Sequence, residues 1–157
     1  MIENTFTNDE RIQENKQIHS KIGKTWFFDL DGTLLKNTSN ERLDQIINRH
    51  GKTSHRQEEA LMSSKQFLKN IPKCDKVVLT TARAKRHKDH TIKVLEYVGI
   101  KYDQIIFDIP SGARILVNDI KPKGVLKNEH EIKTAFAINL KRNEGLKKEH
   151  LDEYLRV

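Results

Sequence analysis

At 157 residues the chain suits one domain with a single core, and 36% hydrophobic content with few glycines and prolines describes a globular protein. A formal net charge of +7 favours anionic ligands without naming one, and 32% charged residues imply well-solvated helix faces. The single cysteine, Cys74, excludes an internal disulfide and suits a reducing cytosol, while no apolar h-region or membrane-length run is found, so a cytoplasmic protein without a membrane partner is expected.

Residues 1–23 are polar, with Ile12, Ile18 and Ile22 loosely spaced, and read as an N-terminal arm or an edge-packed helix. Residues 24–157 read as the domain proper. Its first strand runs from about Thr25 to Leu30, an apolar run that stops in two carboxylates, Asp29 and Asp31, and a glycine. Strand alternation would send both carboxylates to one side, whereas a turn beginning at Leu30 would aim them differently. Two anions at the mouth of an apolar strand repel each other and resist desolvation, a conflict that a divalent cation relieves. Magnesium is the oxygen-preferring candidate. Taken as a bare D-x-D-G, the same residues also describe an Asp-Gly turn with no chemistry at all.

Residues 36–56 are polar around a short helical pattern of Leu43, Ile46 and Ile47. A second helix is expected from about Gln57 to Asn70, with Leu61, Ser64, Leu68 and Ile71 on one stripe and Pro72 beyond its end. Lys76–Thr81 predicts a second strand. A helix carrying Ile92, Leu95 and Val98 follows, with Gly99 as its C-cap. Residues 104–107 predict a third strand, residues 114–119 a fourth that again ends in a carboxylate, and residues 134–140 a fifth. Leu146, Leu151, Tyr154 and Leu155 fit a closing amphipathic helix.

Strands alternating with helices imply an α/β fold, a five-stranded parallel sheet covered by helices on both faces as three layers. Such sheets bind ligands at the carboxyl ends of their strands. Asp29 with Asp31, Thr81, and Asn118 with Asp119 finish three different strands and so converge on one place.

Trp-Phe-Phe-Asp-Leu-Asp-Gly-Thr-Leu resembles the first motif of the haloacid dehalogenase (HAD) superfamily of phosphotransferases, hhhDxDGTL. Thr81 in Val-Val-Leu-Thr-Thr-Ala-Arg matches the second motif, and Arg-Ile-Leu-Val-Asn-Asp-Ile-Lys-Pro resembles the acidic fourth. Together with Tyr-Asp-Gln-Ile-Ile-Phe and Ala-Ile-Asn-Leu-Lys-Arg-Asn, these stretches are similar to small capless bacterial members associated with capsule or surface-sugar synthesis. The resemblance spans about residues 25–146.

That resemblance implies a magnesium-dependent phosphatase acting through an aspartyl-phosphate. Asp29 would attack phosphorus, and Asp31 would protonate the leaving oxygen and then activate water. Magnesium would be held by Asp29, the Asp31 carbonyl and Asp119, with Asn118 as ligand or orienter. Thr81 would hydrogen-bond a phosphoryl oxygen. The third-motif lysine has no counterpart near Phe107-Asp108-Ile109-Pro110, which leaves Arg114, Lys121, Arg83 and Arg86 as substitutes. Reach favours Lys121 over Arg114. Arg83 serves either phosphate or a structural ion pair.

The two insertion points, residues 36–56 and 84–103, are too short for a cap domain, so the site should be open, shaded at most by a small flap at Leu43–Ile47. An open site accepts large substrates or is closed by a neighbouring copy of the chain. A phosphorylated sugar or similar small metabolite is the expected substrate. The alternatives are a polynucleotide-end phosphatase, less favoured because no basic-aromatic stacking platform is present, and a non-catalytic phospholigand-binding module.

Overall fold

In the computed structural model, which describes residues 22–154, the apolar runs become three parallel strands in the order β1-β2-β3. These are β1 (Thr25–Asp29), β2 (Lys76–Thr80) and β3 (Gln104–Ile106). The register pairs Phe27 with Val78 and Asp29 with Thr80, so β1 and β2 end level with each other. The helices are α1 (Asn40–His50), α2 (Met62–Lys69), α3 (Lys88–Val98) and α4 (Lys148–Tyr154), with short 3-10 turns at Gly51–Gln57 and Lys85–His87. All but the last two residues of the expected arm, and Leu155 of the closing helix, lie outside the described residues.

Strand alternation decides where the core sits. Trp26 and Phe28 point to one face with Val77, Leu79 and Ile105, and Phe67 of α2 meets both rings edge-on. Val94 and Leu95 of α3 join the same cluster, as does Leu146, with Leu151 of α4 packed against it. At the strand's start, buried Asp75 accepts the Trp26 indole N–H at 2.8 Å and pairs with Lys24 at 3.2 Å.

Three expectations change. The second helix begins at Met62 rather than Gln57, because Glu58–Leu61 is extended and pairs with the segment after β1. Lys36 N–H donates to Glu59 and Leu61 N–H donates to Leu34, each at 2.9 Å. The buried stripe of α3 is His90, Thr91, Val94 and Leu95: of the expected Ile92, Leu95 and Val98, Leu95 is buried and the other two are half-buried, Val98 packed against the core, because two polar residues occupy the inner face. Gly99 does cap this helix, in the left-handed conformation.

The third change is the largest. Among the described residues the sheet has three strands, not five, and no second helical layer covers Phe27, 55% exposed, or Ile106 on its other face. Residues 114–119 and 134–140 are not strands. Their facing ends are joined instead, by a bond from the Thr134 hydroxyl to the Asp119 carbonyl and, just beyond them, by one antiparallel bridge between Lys121 and Ile132. Ile115 and Val117 stand 86% and 88% exposed, with no apolar layer to hold them in a ladder.

Candidate active site

Everything at the site hangs on how the chain leaves β1. Leu30, Leu34 and Leu35 are fully buried, and the N–H groups of Thr33, Leu34 and Leu35 all converge on the Leu30 carbonyl at 2.9–3.3 Å. The loop is thus nailed to the core at every apolar residue, which leaves Asp29 and Asp31 at the surface of the turn. Gly32 has φ +85°, where a side chain would be strained, and a Cβ there would meet Arg142 Cγ at 2.9 Å and push that side chain aside. The turn is braced from the far end of the chain. Asn143 N–H donates to the Gly32 carbonyl at 2.8 Å, and Ser64 Oγ bridges the Thr33 carbonyl and the Leu146 N–H.

The two aspartates lie in different surroundings. Asp29 is half-buried, with Arg114 Nη2 3.6 Å from Oδ1 and the Thr33 hydroxyl 3.4 Å from Oδ2. Burial pushes its carboxyl above the ordinary range; Arg114 pulls it down and the charge of Asp31 adds to the rise. Asp31 is gripped by a fork, with Arg83 Nε at 2.9 Å and Nη2 at 2.7 Å.

Arg83 is 2% exposed. Its remaining N–H groups go to both oxygens of Glu58 and to the Thr91 hydroxyl, so all five guanidinium donors are used within the protein. Burial alone would lower its affinity for a proton, but the hydrogen bonds and charges of Asp31 and Glu58 raise it. Arg83 has no donor left for phosphate: the expected phosphate contact gives way to the structural ion pair. Glu58 in turn accepts from His90 Nε2 at 2.6 Å, and His90 Nδ1 meets Ser54 Oγ at 2.9 Å. Burial would raise the Glu58 carboxyl, but His90 and Arg83 together outweigh it and hold it below its usual range.

A cleft of about 330 Å³ opens over the aspartates, lined by Asn37 to Glu41, Ser111, Arg114 and Arg142 among others. The flap expected at Leu43–Ile47 is α1, and it is pinned down. Asn40 Oδ1 accepts the Ala84 N–H and its amide donates to the Ala82 carbonyl, while Asp44 pairs with Arg86 and His87.

The structure therefore brings Asp29, Asp31, Arg83 and Arg114 together. Thr81 lies beneath them, fully buried, its hydroxyl oxygen accepting the Arg83 backbone N–H at 3.1 Å, and it does not line the cleft. Lys121 is spent on Asp119, 2.9 Å from both its carboxylate oxygens, and Asn118 lies beside Thr134. None of these three lines the cleft. Reach along the chain favoured Lys121, but without a fourth strand its carboxyl end is not carried to the ends of β1 and β2. Arg114 arrives because the turn before it holds its guanidinium through the carbonyls of Pro110 and Gly112.

Sequence reading missed Glu58, His90 and Arg142. Glu58 and His90 sit in stretches that look like solvated helix, and only the buried arginine between them reveals their role.

Among the described residues no three acidic, histidine or cysteine side chains form a metal cluster. The donors at the cleft still fit magnesium in its usual mode, one or two carboxylates with waters and phosphate oxygens completing the shell. The Asp29 carboxylate is half-buried with one cation beside it, and the turn's hydrogen bonds are accepted by the Leu30, Gly32, Thr33 and Leu35 carbonyls rather than that of Asp31.

Residues 3–125 match the family model described as HAD superfamily, subfamily IIIB (Acid phosphatase). No curated protein and no solved structure matches the chain.

Proposed function

Because the chain belongs to the HAD superfamily, subfamily IIIB, the acid phosphatases, and is on that ground a phosphoric monoester hydrolase, we propose that it works through an aspartyl-phosphate on Asp29. The observation that carries this reading is the placement of Asp29: a half-buried carboxylate at a strand end, facing a cleft, with a guanidinium 3.6 Å away.

An Asp29 oxygen attacks phosphorus, the bond to the leaving oxygen breaks, and Asp31 delivers a proton to that oxygen. Water then attacks the acyl phosphate, Asp31 takes the water's proton, and Asp29 and inorganic phosphate are released. Each proton transfer of this kind is worth roughly 10² to 10⁴ in rate. Arg114 offsets the repulsion between carboxylate and phosphate, using the Nε and Nη2 donors that its own turn leaves unused.

Magnesium, when bound by Asp29 and the Asp31 carbonyl, supplies charge neutralisation at the phosphoryl oxygens. Asp119 and Asn118 belong to the same reading as further ligands, reached when residues 114–119 pair along the free edge of β1 as a fourth strand. What supports that pairing is the exposed run Ile115–Val117 and the lack of a partner on that edge among the described residues.

Residues 24–157 are read as one domain without a cap, preceded by an arm, and its place as the reducing cytosol that one cysteine suits. Among the described residues no helix is long and apolar enough to cross a membrane. A cleft of about 330 Å³ suits a phosphorylated sugar or similar metabolite. Phosphate release measured across sugar phosphates, nucleotides and 3′- or 5′-phosphorylated DNA tests the substrate class. Turnover confined to DNA ends would overturn the metabolite reading.

A further inference from the structure

Arg83 is shared by two carboxylates, only one of which faces the cleft. A fork on Asp31 alone would suffice for an ion pair, yet the structure adds Glu58 behind it, then His90, then Ser54, as one buried hydrogen-bonded row. Glu58, Ser54 and His90 are all buried. Three elements supply the row: the 3-10 turn and extended strand that precede α2, the loop after β2, and the inner face of α3. Nothing in this row reaches the cleft beyond Arg83. Its one connection to the reacting atoms is the Asp31 carboxylate.

The physical consequence concerns direction. A guanidinium is planar, and its two edges are fixed relative to each other. Glu58 holds the Nη1–Nη2 edge, so the Nε–Nη2 edge is aimed at one position, and the Asp31 carboxylate must lie in that plane to accept both bonds. His90 does the same for Glu58. A carboxylate is acceptor-only, so the 2.6 Å contact makes His90 Nε2 a donor, and Ser54 at Nδ1 orients the ring. Without Glu58 the arginine would keep Asp31 and only the neutral Thr91 hydroxyl, and its outer edge would no longer be held by two parallel bonds.

We propose that Glu58 and His90 are positioning residues that hold Arg83, and through it Asp31, in the orientation from which Asp31 protonates the leaving oxygen. This rests on the reading of Asp31 as proton donor. It goes further by assigning the reaction's directional control to two residues that touch neither substrate nor metal.

The test exploits leaving groups. With magnesium present, kcat/KM of the full chain is measured on 2,4-dinitrophenyl phosphate, whose leaving group departs without a proton, and on phenyl phosphate, whose leaving group needs one. This parameter reports the steps up to leaving-group release. The ratio of the two, taken on one preparation, is insensitive to any unfolded fraction.

Glu58→Gln and His90→Ala are expected to lower the phenyl phosphate value about tenfold or more, and the dinitrophenyl value less than about threefold. His90→Gln, which keeps a donor toward Glu58, is expected to recover most of the ratio. Equal losses on both substrates would overturn the proposal and leave the row a purely structural one. Asp31→Asn is the control for the underlying reading. If it is selective while Glu58→Gln is not, the positioning role fails and the proton donor stands. If Asp31→Asn is itself unselective, the proton-donor reading fails, and the positioning role with it.

Discussion

Two regions of this molecule carry the same sequence signal and meet different fates. Residues 25–31 and 114–119 are both β-branched or aromatic runs that end in carboxylates. The first is a strand with Trp26 and Phe28 packed on Phe67 and its exit loop held by three fully buried leucines. The second forms no strand and is unpaired to the sheet, with Ile115 and Val117 in solvent and its terminal Asp119 tied to Lys121. An apolar run makes a strand only where another layer removes it from water, and the layer is not written in the run itself.

The largest expected effect comes from the two terminal carboxylates. Asp29→Asn should lower turnover by ~10³-fold or more, because an amide is a poor nucleophile, with effects of this order usual for a group at the reacting centre. It should leave the melting temperature at neutral pH unchanged or slightly raised. Burial raises the Asp29 carboxyl, so its contribution to stability is present below the ordinary value of 3.8 and is lost as pH rises through the folded value. Near-normal turnover in this variant would remove the covalent mechanism. Asp119→Ala should instead raise the magnesium concentration needed for half-maximal rate and be partly rescued by excess metal. An unchanged requirement would show that residues 114–119 never reach β1.

The cations sharpen the contrast. Arg83→Met strands the buried Glu58 carboxylate against the partly buried Asp31 and should cost about 3–5 kcal/mol, read as a melting temperature lower by ~10 °C. Lys121→Met, in an exposed pair, should change stability by less than about 0.5 kcal/mol. Equal losses would mean that the second region is as closed as the first. For activity the order is set by distance to Asp29: Arg114→Ala should lower kcat/KM by ~10²-fold, and Lys121→Ala by far less.

Much of the first region was legible in advance. The motif Asp29-Leu30-Asp31-Gly32 could be read as a strand exit because an apolar run stops there in two carboxylates and a glycine. The end of α3 was legible from Gly99 alone. Its buried face was not, since periodicity counts apolar residues and His90 and Thr91 are inside for Arg83's sake. Arg83 itself had two readings, and only the count of its donors separated them. Arg142 and Asn143 arrive from more than 100 residues away to brace the first turn, a contact no local pattern carries.

The smallest effect lies at the rim. Asp44 is held at about 2 by its hydrogen bonds from Arg86 and His87. Its share of stability is present above the ordinary value of 3.8 and fades as pH falls through about 2. In Asp44→Asn that part of the acid limb should disappear, a modest change because Asp44 and Arg86 stand about half in solvent. A pH–stability curve identical to that of the parent would show that α1 is not fastened at this point.

The central claim is that Asp29 carries the phosphoryl group, and trapping it is the most direct measurement. The protein is mixed with p-nitrophenyl phosphate and magnesium, quenched in acid within the first turnover, and mapped by peptide mass spectrometry. One phosphoryl group on Asp29, accumulating in Asp31→Asn and absent from Asp29→Asn, is the result the account predicts. A phosphoryl group on any other residue, or none while phosphate is still released, would contradict it.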